Sequence, residues 1–264
     1  MLARAIAFCA HRILRYRKAH VEHALVRAGL AKSNARAVYE NLARGLLEWV
    51  RARRSLEDVF INDEALAALS HARANGPVVI AASHTGNWEL AAYRLAGVVP
   101  ITVLAKPLHQ RWAHAWANRV RARFGVHVVA ARDGQRDARN VDAAPLAELV
   151  RALRAGRVVV VASDQAPERR TRAHATRGHF MGQRAWLDRT AYALAARAGA
   201  TVLVTAQRRT RAGHEVSVLT SERAPLRDRA TWIDRATQAG ARALEAFVYA
   251  TPESWLWTHR RWKS

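Results

Sequence analysis

The segment VIAASHTGNWEL follows an apolar run with a histidine, a glycine turn and a carboxylate. The run predicts a buried strand, and Gly86 permits a tight turn after it. Asn87 or Thr85 is suited to cap a following helix, which places Glu89 in the first turn, where the helix dipole favours a carboxylate. We expect Glu89 to hold one ring nitrogen of His84 as N–H and to leave the other nitrogen free to accept a proton. The segment therefore predicts a histidine that acts as a general base.

Other sequence motifs restrict what this base could act on. The chain contains no G-x-S-x-G elbow, no H-E-x-x-H pair and no phosphate-binding glycine loop. The base must therefore deprotonate a group of a bound substrate, such as a hydroxyl. The pairs His109 with His114 and His174 with His179 lack a carboxylate at a suitable spacing, so we expect no metal site. The His-x4-Glu spacing alone has an alternative interpretation: His84 is a structural core histidine, and Glu89 is an ordinary carboxylate at the start of a helix.

The charge of the chain narrows the class of its partners. Its 264 residues, half of them hydrophobic, include 43 Lys and Arg against 21 Asp and Glu, which gives a net charge of +22. Such a surface favours anionic partners, namely nucleic acid, anionic lipid or an acidic carrier protein. The single cysteine, Cys9, excludes an internal disulfide and a cysteine-rich zinc site.

The hydrophobic pattern changes period near residue 76. Residues 1–75 read as a helical segment, and residues 76–264 as an α/β unit that we expect to form one compact body with it. Short β-branched runs are predicted as strands at 78–83, 101–105, 126–130, 158–163, 201–207 and 214–220, with helices between most of them. This alternation predicts an α/β fold with a largely parallel central sheet flanked by helices. Residues 168–184 are predicted as a long polar loop, and residues 228–250 as a final helix before a basic aromatic tail.

Two segments have the amphipathic character of a membrane-surface helix. Residues 2–18 predict a helix whose apolar face carries Leu2, Ile6, Cys9, Ile13 and Tyr16. This helix is suited either to lie on anionic lipid or to pack on the protein's own core. Trp112 and Trp116 stand one turn apart among arginines, which is equally typical of a membrane interface and of a packed core. We expect no membrane-spanning helix.

Further motifs agree, in order, with one known family. The stretches RARFG, VVVVASDQAP, HFMGQRA and PESWLWTHRRWK, together with the His-x4-Glu motif, resemble those of the late acyltransferases of lipid A biosynthesis, the lauroyl and myristoyl transferases. These enzymes belong to the wider group of glycerolipid acyltransferases marked by a His-x4-Asp/Glu motif. The resemblance covers roughly residues 17 to 263.

The resemblance implies transfer of a fatty acyl group from a thioester donor, acyl carrier protein or coenzyme A, to a hydroxyl of a lipid. It implies that His84 is the general base and Glu89 its partner. The remaining candidates for oxyanion or substrate binding are Arg121, Arg123, Asp164, Asn87 and Gln165. Asp164 is equally suited to a structural role in the loop after its strand. No cofactor beyond the acyl donor is implied.

The chain departs from this family at its start and in one loop. The usual N-terminal spanning helix is shortened to the amphipathic start, so we expect peripheral attachment to the cytoplasmic face of the inner membrane. The loop after DQAP carries Arg169, Arg170, Arg172 and Arg177 in place of a common Asp-Tyr-Gly run. The expected partners are acyl carrier protein, an anionic membrane surface and an anionic glycolipid such as a lipid A precursor, or another lysolipid such as an ornithine lipid.

The rival hypothesis is a basic nucleic-acid-binding protein whose tail tryptophans, including Trp255 and Trp257, stack on bases. It leaves the His-turn-Glu arrangement unexplained, and the family match instead favours Trp255 and Trp257 as anchors of the tail. We therefore expect no nucleic-acid partner.

Overall fold

The computed structural model describes residues 2–108, 110–131, 143–168, 172 and 175–262. His109, His174, Arg169 and Arg170 lie outside these ranges. The described helices are α1 (Leu2–Phe8), a π-helical turn (Cys9–Ile13), α2 (Lys18–Arg27), α3 (Asn34–Val50), α4 (Ala52–Ser55), α5 (Asp63–Ala74), α6 (Trp88–Ala96), α7 (Arg111–Arg123), α8 (Ala143–Arg154), α9 (Thr190–Ala198), α10 (Arg229–Ala250) and a 3-10 turn (Pro252–Ser254). The described strands are β1 (Val59–Ile61), β2 (Val78–Ala82), β3 (Ile101–Ala105), β4 (Val126–Ala130), β5 (Val158–Ala162), β6 (Ala175–Phe180), β7 (Gln183–Asp188), β8 (Thr201–Arg209) and β9 (His214–Arg223).

Seven strands form the central sheet, in the order β1-β9-β8-β2-β5-β3-β4. Every neighbouring pair is parallel except β8 with β9. The predicted α/β fold with a largely parallel sheet and an N-terminal helical segment is confirmed. The strands with the longest apolar runs, β2 and β5, occupy the middle of the sheet, where both of their faces are covered.

The two faces of the sheet carry separate parts of the core. Alternate residues of β2 point to opposite faces, so that Val79 packs towards α8, α9 and α10, whereas Ile80 packs towards α5 and α6. A third cluster joins α1, α2 and α3 to α10 and to the chain after residue 252. This third cluster attaches the C-terminal tail to the helical segment.

Two short elements were not expected from the sequence. β1 interrupts the predicted helical segment and pairs in parallel with β9. Its three residues are too few to show the alternation that identifies a strand in the sequence. The predicted polar loop 168–184 is in part a hairpin, β6 and β7, whose turn residues Met181 and Gly182 both have positive φ angles. That prediction was wrong because the outward side chains of the hairpin are polar; Arg177 lies over the ring of Trp186 at 4.9 Å.

The amphipathic start is shorter than predicted. The α-helix ends at Phe8, and the chain bends at Arg15 and Arg17, which both have positive φ angles. Ala7 and Ile6 pack against the core, whereas Ile13 is 65% exposed. Among the described helices, none is both long enough and apolar enough to span a bilayer.

Candidate active site

His84 lies in the turn between β2 and α6, at the carboxyl edge of the sheet, where parallel folds collect reactive groups. Gly86 has a φ of +54°, and a Cβ there would stand 3.0 Å from both the carbonyl oxygen and Oε1 of Gln207, so this position requires glycine. The side chain of Asn87 caps α6 by accepting a hydrogen bond from the Leu90 N–H at 3.4 Å. The predicted strand, glycine turn and capped helix are therefore all present.

The imidazole of His84 is held by Asp164. His84 Nδ1 lies 2.8 Å from Asp164 Oδ1, and the His84 backbone N–H donates to Asp164 Oδ2 at 3.0 Å. Trp255 Nε1 donates to the same Oδ2 at 2.9 Å. A carboxylate can only accept, so Nδ1 must carry the proton and Nε2 of the neutral ring is left with a free lone pair.

The expected His84–Glu89 contact is therefore wrong, and the sheet register gives the reason. Ala82 of β2 stands beside Ala162 of the neighbouring strand β5. Two residues further along each chain, His84 and Asp164 emerge side by side from the edge of the sheet. Glu89 starts its own helix and faces α7 instead.

Glu89 forms the centre of a second polar cluster. Arg121 donates from Nε to Glu89 Oε2 at 3.0 Å and from Nη2 to Oε1, a two-pronged pairing. Tyr93 donates to Glu89 Oε2 at 3.2 Å and accepts from Trp49 Nε1 at 3.1 Å. Burial and the Glu89 charge raise the pKa of the Tyr93 hydroxyl, which keeps it a neutral donor. The cluster thus fixes the Arg121 guanidinium on the α6–α7 side of the turn.

The His84 ring is partly accessible and loosely covered. The His84 side chain is 20% exposed, whereas that of Asp164 is 2% exposed. Gln165 Nε2 lies 3.4 Å from His84 Nε2, which is a weak contact, and the Trp88 ring packs edge-on against the imidazole at 5.0 Å between centroids. A substrate hydroxyl that displaces the Gln165 amide would meet the lone pair of Nε2.

The electrostatics of the pair favour a strong base. Burial alone would lower the pKa of His84, but the Asp164 charge and hydrogen bond, with a smaller contribution from the Glu89 charge, outweigh burial and leave the pKa raised. Burial would raise the pKa of Asp164, but the His84 charge and the hydrogen bonds from His84 and Trp255 bring it below its usual range. Asp164 therefore stays ionised and stabilises the imidazolium that forms when His84 takes a proton.

The C-terminal tail is part of this site. Gly86 donates its backbone N–H to Ser254 O at 2.7 Å, and Leu256 donates to His84 O at 3.0 Å. In the loop after β5, the Ala166 N–H donates to the ring of His259 at 3.0 Å. The tail thus fastens both the His84 turn and the Asp164 loop.

The tail tryptophans lie inside the protein. Trp255 is 2% exposed and Trp257 is fully buried, so the prediction that they anchor the tail is confirmed and stacking of these two rings on bases is wrong. Sequence reasoning missed that Trp255 is also the third hydrogen-bond donor to Asp164. The signal in the sequence that Trp255 matters was its place in the C-terminal motif PESWLWTHRRWK. By contrast, Trp112 and Trp116 are 75% and 40% exposed, which excludes core packing for both.

The other predicted site residues have different environments. Asn87 is buried, and its amide also donates to Gly45 O at 3.0 Å and to Glu48 Oε2 at 3.3 Å, so its hydrogen-bonding groups are used within the protein. Arg123 lies on the exposed side of the last turn of α7. The structure brings His84, Asp164 and Gln165 together on one side, and Glu89 with Arg121 on the other.

An apolar cleft opens beside the His84 turn. It contains about 640 Å³ of empty space, its open mouth included, and lies between β2, β8, α5 and α6. Ile80, Leu69, Leu95 and Leu203 form its walls, and Trp88, which touches the His84 ring, lines it as well. The mostly apolar lining suits a hydrocarbon chain.

Comparison with known proteins identifies the family of the chain. A search of curated proteins returned no match. The family model of the bacterial lipid A biosynthesis acyltransferases matches residues 32–264. The match includes the His84 turn, the Asp164 loop and the tail that fastens them. The chain belongs to the bacterial lipid A biosynthesis acyltransferase family and is therefore an acyltransferase.

Proposed function

We propose that the protein transfers a fatty acyl chain from an acyl-carrier-protein thioester to a hydroxyl of a lipid A precursor, with His84 as general base and Asp164 as the carboxylate that orients it. The observation that carries this proposal is the pairing of His84 Nδ1 with Asp164 at 2.8 Å, which leaves the lone pair of Nε2 to accept a proton. Trp88, which packs on the same ring, lines the apolar cleft. The family and the net charge of +22 support this choice of donor and acceptor, because such a charge favours an acidic carrier and a phosphorylated lipid.

His84 and Asp164 suffice to describe the proton transfers of this reaction. The acceptor hydroxyl gives its proton to His84 Nε2 while its oxygen attacks the thioester carbon. The tetrahedral intermediate then expels the carrier thiolate, which takes the proton back from the imidazolium. The products are an ester of the lipid and a free carrier thiol. Asp164 stays ionised throughout and stabilises the imidazolium.

The second cluster supplies positive charge rather than a base. Glu89 fixes the Arg121 guanidinium through two hydrogen bonds, and Arg123 adds an exposed cation at the end of the same helix. We assign both arginines to binding anionic groups of the substrates. Gln165 covers His84 Nε2 until the acceptor hydroxyl replaces it.

Peripheral attachment to the cytoplasmic face of the inner membrane fits one surface of the protein. Trp112 and Trp116 of α7 are exposed, and Trp116 touches Trp49 of α3 at 4.4 Å between ring centroids. Leu46 and Val50 are 53% and 65% exposed on α3. The surrounding exposed arginines of α7 are Arg111, Arg119 and Arg123. Aromatic rings with nearby cations suit an anionic lipid surface, where each cation contributes about 1 kcal/mol.

A turnover assay tests the proposal. Purified protein is given acyl carrier protein thioester and a lipid A precursor; free carrier thiol and acylated lipid are measured together. We expect both products in equal amounts, and a loss of about 10²- to 10⁴-fold in His84→Ala, because a positioned base contributes that much. His127→Ala, which removes an exposed histidine on β4, is the matched control. Turnover of His84→Ala at the rate of this control would refute the assigned role.

A further inference from the structure

Gln207 is a polar residue buried in the apolar cleft. It lies on β8, is 2% exposed and lines the cleft together with Ile80, Leu203 and Trp88. Neither its Oε1 nor its Nε2 has a hydrogen-bond partner among the described residues. A buried amide without hydrogen-bond partners is destabilising, so such a residue needs an explanation.

The backbone of Gln207 is held against the turn that carries His84. The Gln207 N–H donates to Thr85 Oγ1 at 2.8 Å, and Thr85 Oγ1 is 2.9 Å from Ser83 Oγ. The Gln207 side chain also packs against Gly86, two residues beyond His84. The amide is therefore held next to the catalytic turn, in a cleft whose other lining residues are mostly apolar.

The chemistry of an amide defines its complement. Gln207 offers N–H donors and a carbonyl acceptor together, so full satisfaction needs a group that both accepts and donates. A thioester carbonyl only accepts, and an unsubstituted methylene chain does neither. A hydroxyl does both and occupies about the space of a methyl group.

We propose that Gln207 selects an acyl chain that carries a hydroxyl close to its carbonyl, with the hydroxyl accepting from Nε2 and donating to Oε1. This inference rests on the proposed function, because it takes the cleft to be the acyl-chain site. It makes Gln207 a specificity-determining residue that leaves the proton transfer at His84 untouched. A site built around a hydroxyl discriminates strongly against the analogue that lacks it, because its own polar groups are then left unpaired.

A competition assay tests the assignment. The protein receives carrier-protein thioesters of equal chain length that bear no hydroxyl, a 2-hydroxyl or a 3-hydroxyl, and the products are quantified by mass spectrometry. We expect the wild type to prefer one hydroxylated chain by at least about tenfold. Gln207→Met, which keeps the length but removes the amide, should reduce that preference at least about tenfold and should still transfer the plain chain. Gln110→Met, at the exposed start of α7, is the matched control and should keep the wild-type preference.

The outcomes separate this inference from the proposed function. Efficient transfer of the plain chain by the wild type without any preference for a hydroxylated chain would overturn the role of Gln207 and support acyl transfer. An unchanged preference in Gln207→Met would also overturn it. Failure of the wild type to transfer any of the three chains would instead count against the proposed function. Equal transfer of all three chains by the wild type would overturn the role of Gln207 even if the variant does not fold.

Discussion

Asp164 and Glu89 are two carboxylates on either side of the His84 turn, and their surroundings give them different roles. The Asp164 side chain is 2% exposed and, among the described residues, accepts hydrogen bonds from His84 and Trp255, while the Arg261 charge acts on it without a hydrogen bond. Of its two hydrogen-bond partners, His84 is the one that becomes charged. The Glu89 side chain is 17% exposed and is paired with Arg121, a permanent cation. Asp164 is thus suited to respond to proton transfer, whereas Glu89 is suited to hold a fixed charge. Sequence distance from His84 is a poor guide to this difference.

Replacing Asp164 should have the larger effect of the two. In Asp164→Asn the amide can donate to Nδ1, which moves the ring proton to Nε2 and removes the base. We expect kcat to fall on the order of 10³- to 10⁴-fold, as for loss of the orienting carboxylate in the Ser-His-Asp triad. Turnover of the purified variant at saturating donor measures this. A loss below tenfold would contradict the assigned pairing.

The same variant also tests the charge coupling. The pKa of His84 is raised in the wild type, and activity needs the neutral ring, so activity should rise with pH as His84 loses its proton. Removing the Asp164 charge removes the main cause that raises this pKa. The acidic limb of the residual pH–rate profile should therefore move to lower pH in Asp164→Asn. If the acidic limb stayed at the same pH in Asp164→Asn, a group other than His84 would determine it.

Replacing Glu89 should have an intermediate effect. Glu89→Gln keeps the shape but leaves Arg121 without its charge partner, so we expect a loss on the order of 10- to 10²-fold, since one misplaced contact costs about that much. The acidic limb should move in the same direction as in Asp164→Asn but less, because the Glu89 charge is the smallest of the causes that raise the His84 pKa. Parallel pH–rate profiles of the two variants measure the contrast. Equal shifts would erase the distinction between the two carboxylates.

Replacing Trp255 should have the smallest effect on turnover and a visible effect on stability. Trp255→Phe keeps the buried ring but removes the N–H that donates to Asp164, and a hydrogen bond to a charged group contributes about 1.5 to 3 kcal/mol. Denaturant unfolding near neutral pH should show a loss of that size. Trp112→Phe, at a ring that is 75% exposed, is the matched control and should unfold like the wild type.

The stability loss in Trp255→Phe should depend on pH with a definite sign. The pKa of Asp164 is lower in the folded than in the unfolded chain, so its contribution is fully present above about pH 3.9 and is lost as the pH falls towards the folded value. The difference between Trp255→Phe and the wild type should therefore shrink in acid. A difference that stays constant down to low pH would show that packing, and not the hydrogen bond, is responsible.

Much of the fold was predictable because local patterns determine it. The runs at β3 and β4 gave their strands at the observed bounds, and α10 begins one residue after its predicted start. β1 was missed because its three residues are too few to show a hydrophobic alternation. The hairpin β6–β7 was missed because its turn, at Met181 and Gly182, lies within a largely polar stretch of sequence. These elements depend on partners that are far away in the chain.

The sequence by itself determined that His84 would stand in a glycine turn between a buried strand and a capped helix, because strand period, Gly86 and Asn87 act within a few residues of one another. Only the tertiary structure decided which groups surround the imidazole. Asp164 reaches it because β5 pairs with β2 in one register, Trp255 because the tail folds back over the turn, and Gln207 because β8 flanks the other side of β2. Strand order and register are set by the packing of the whole core, and no local pattern encodes them.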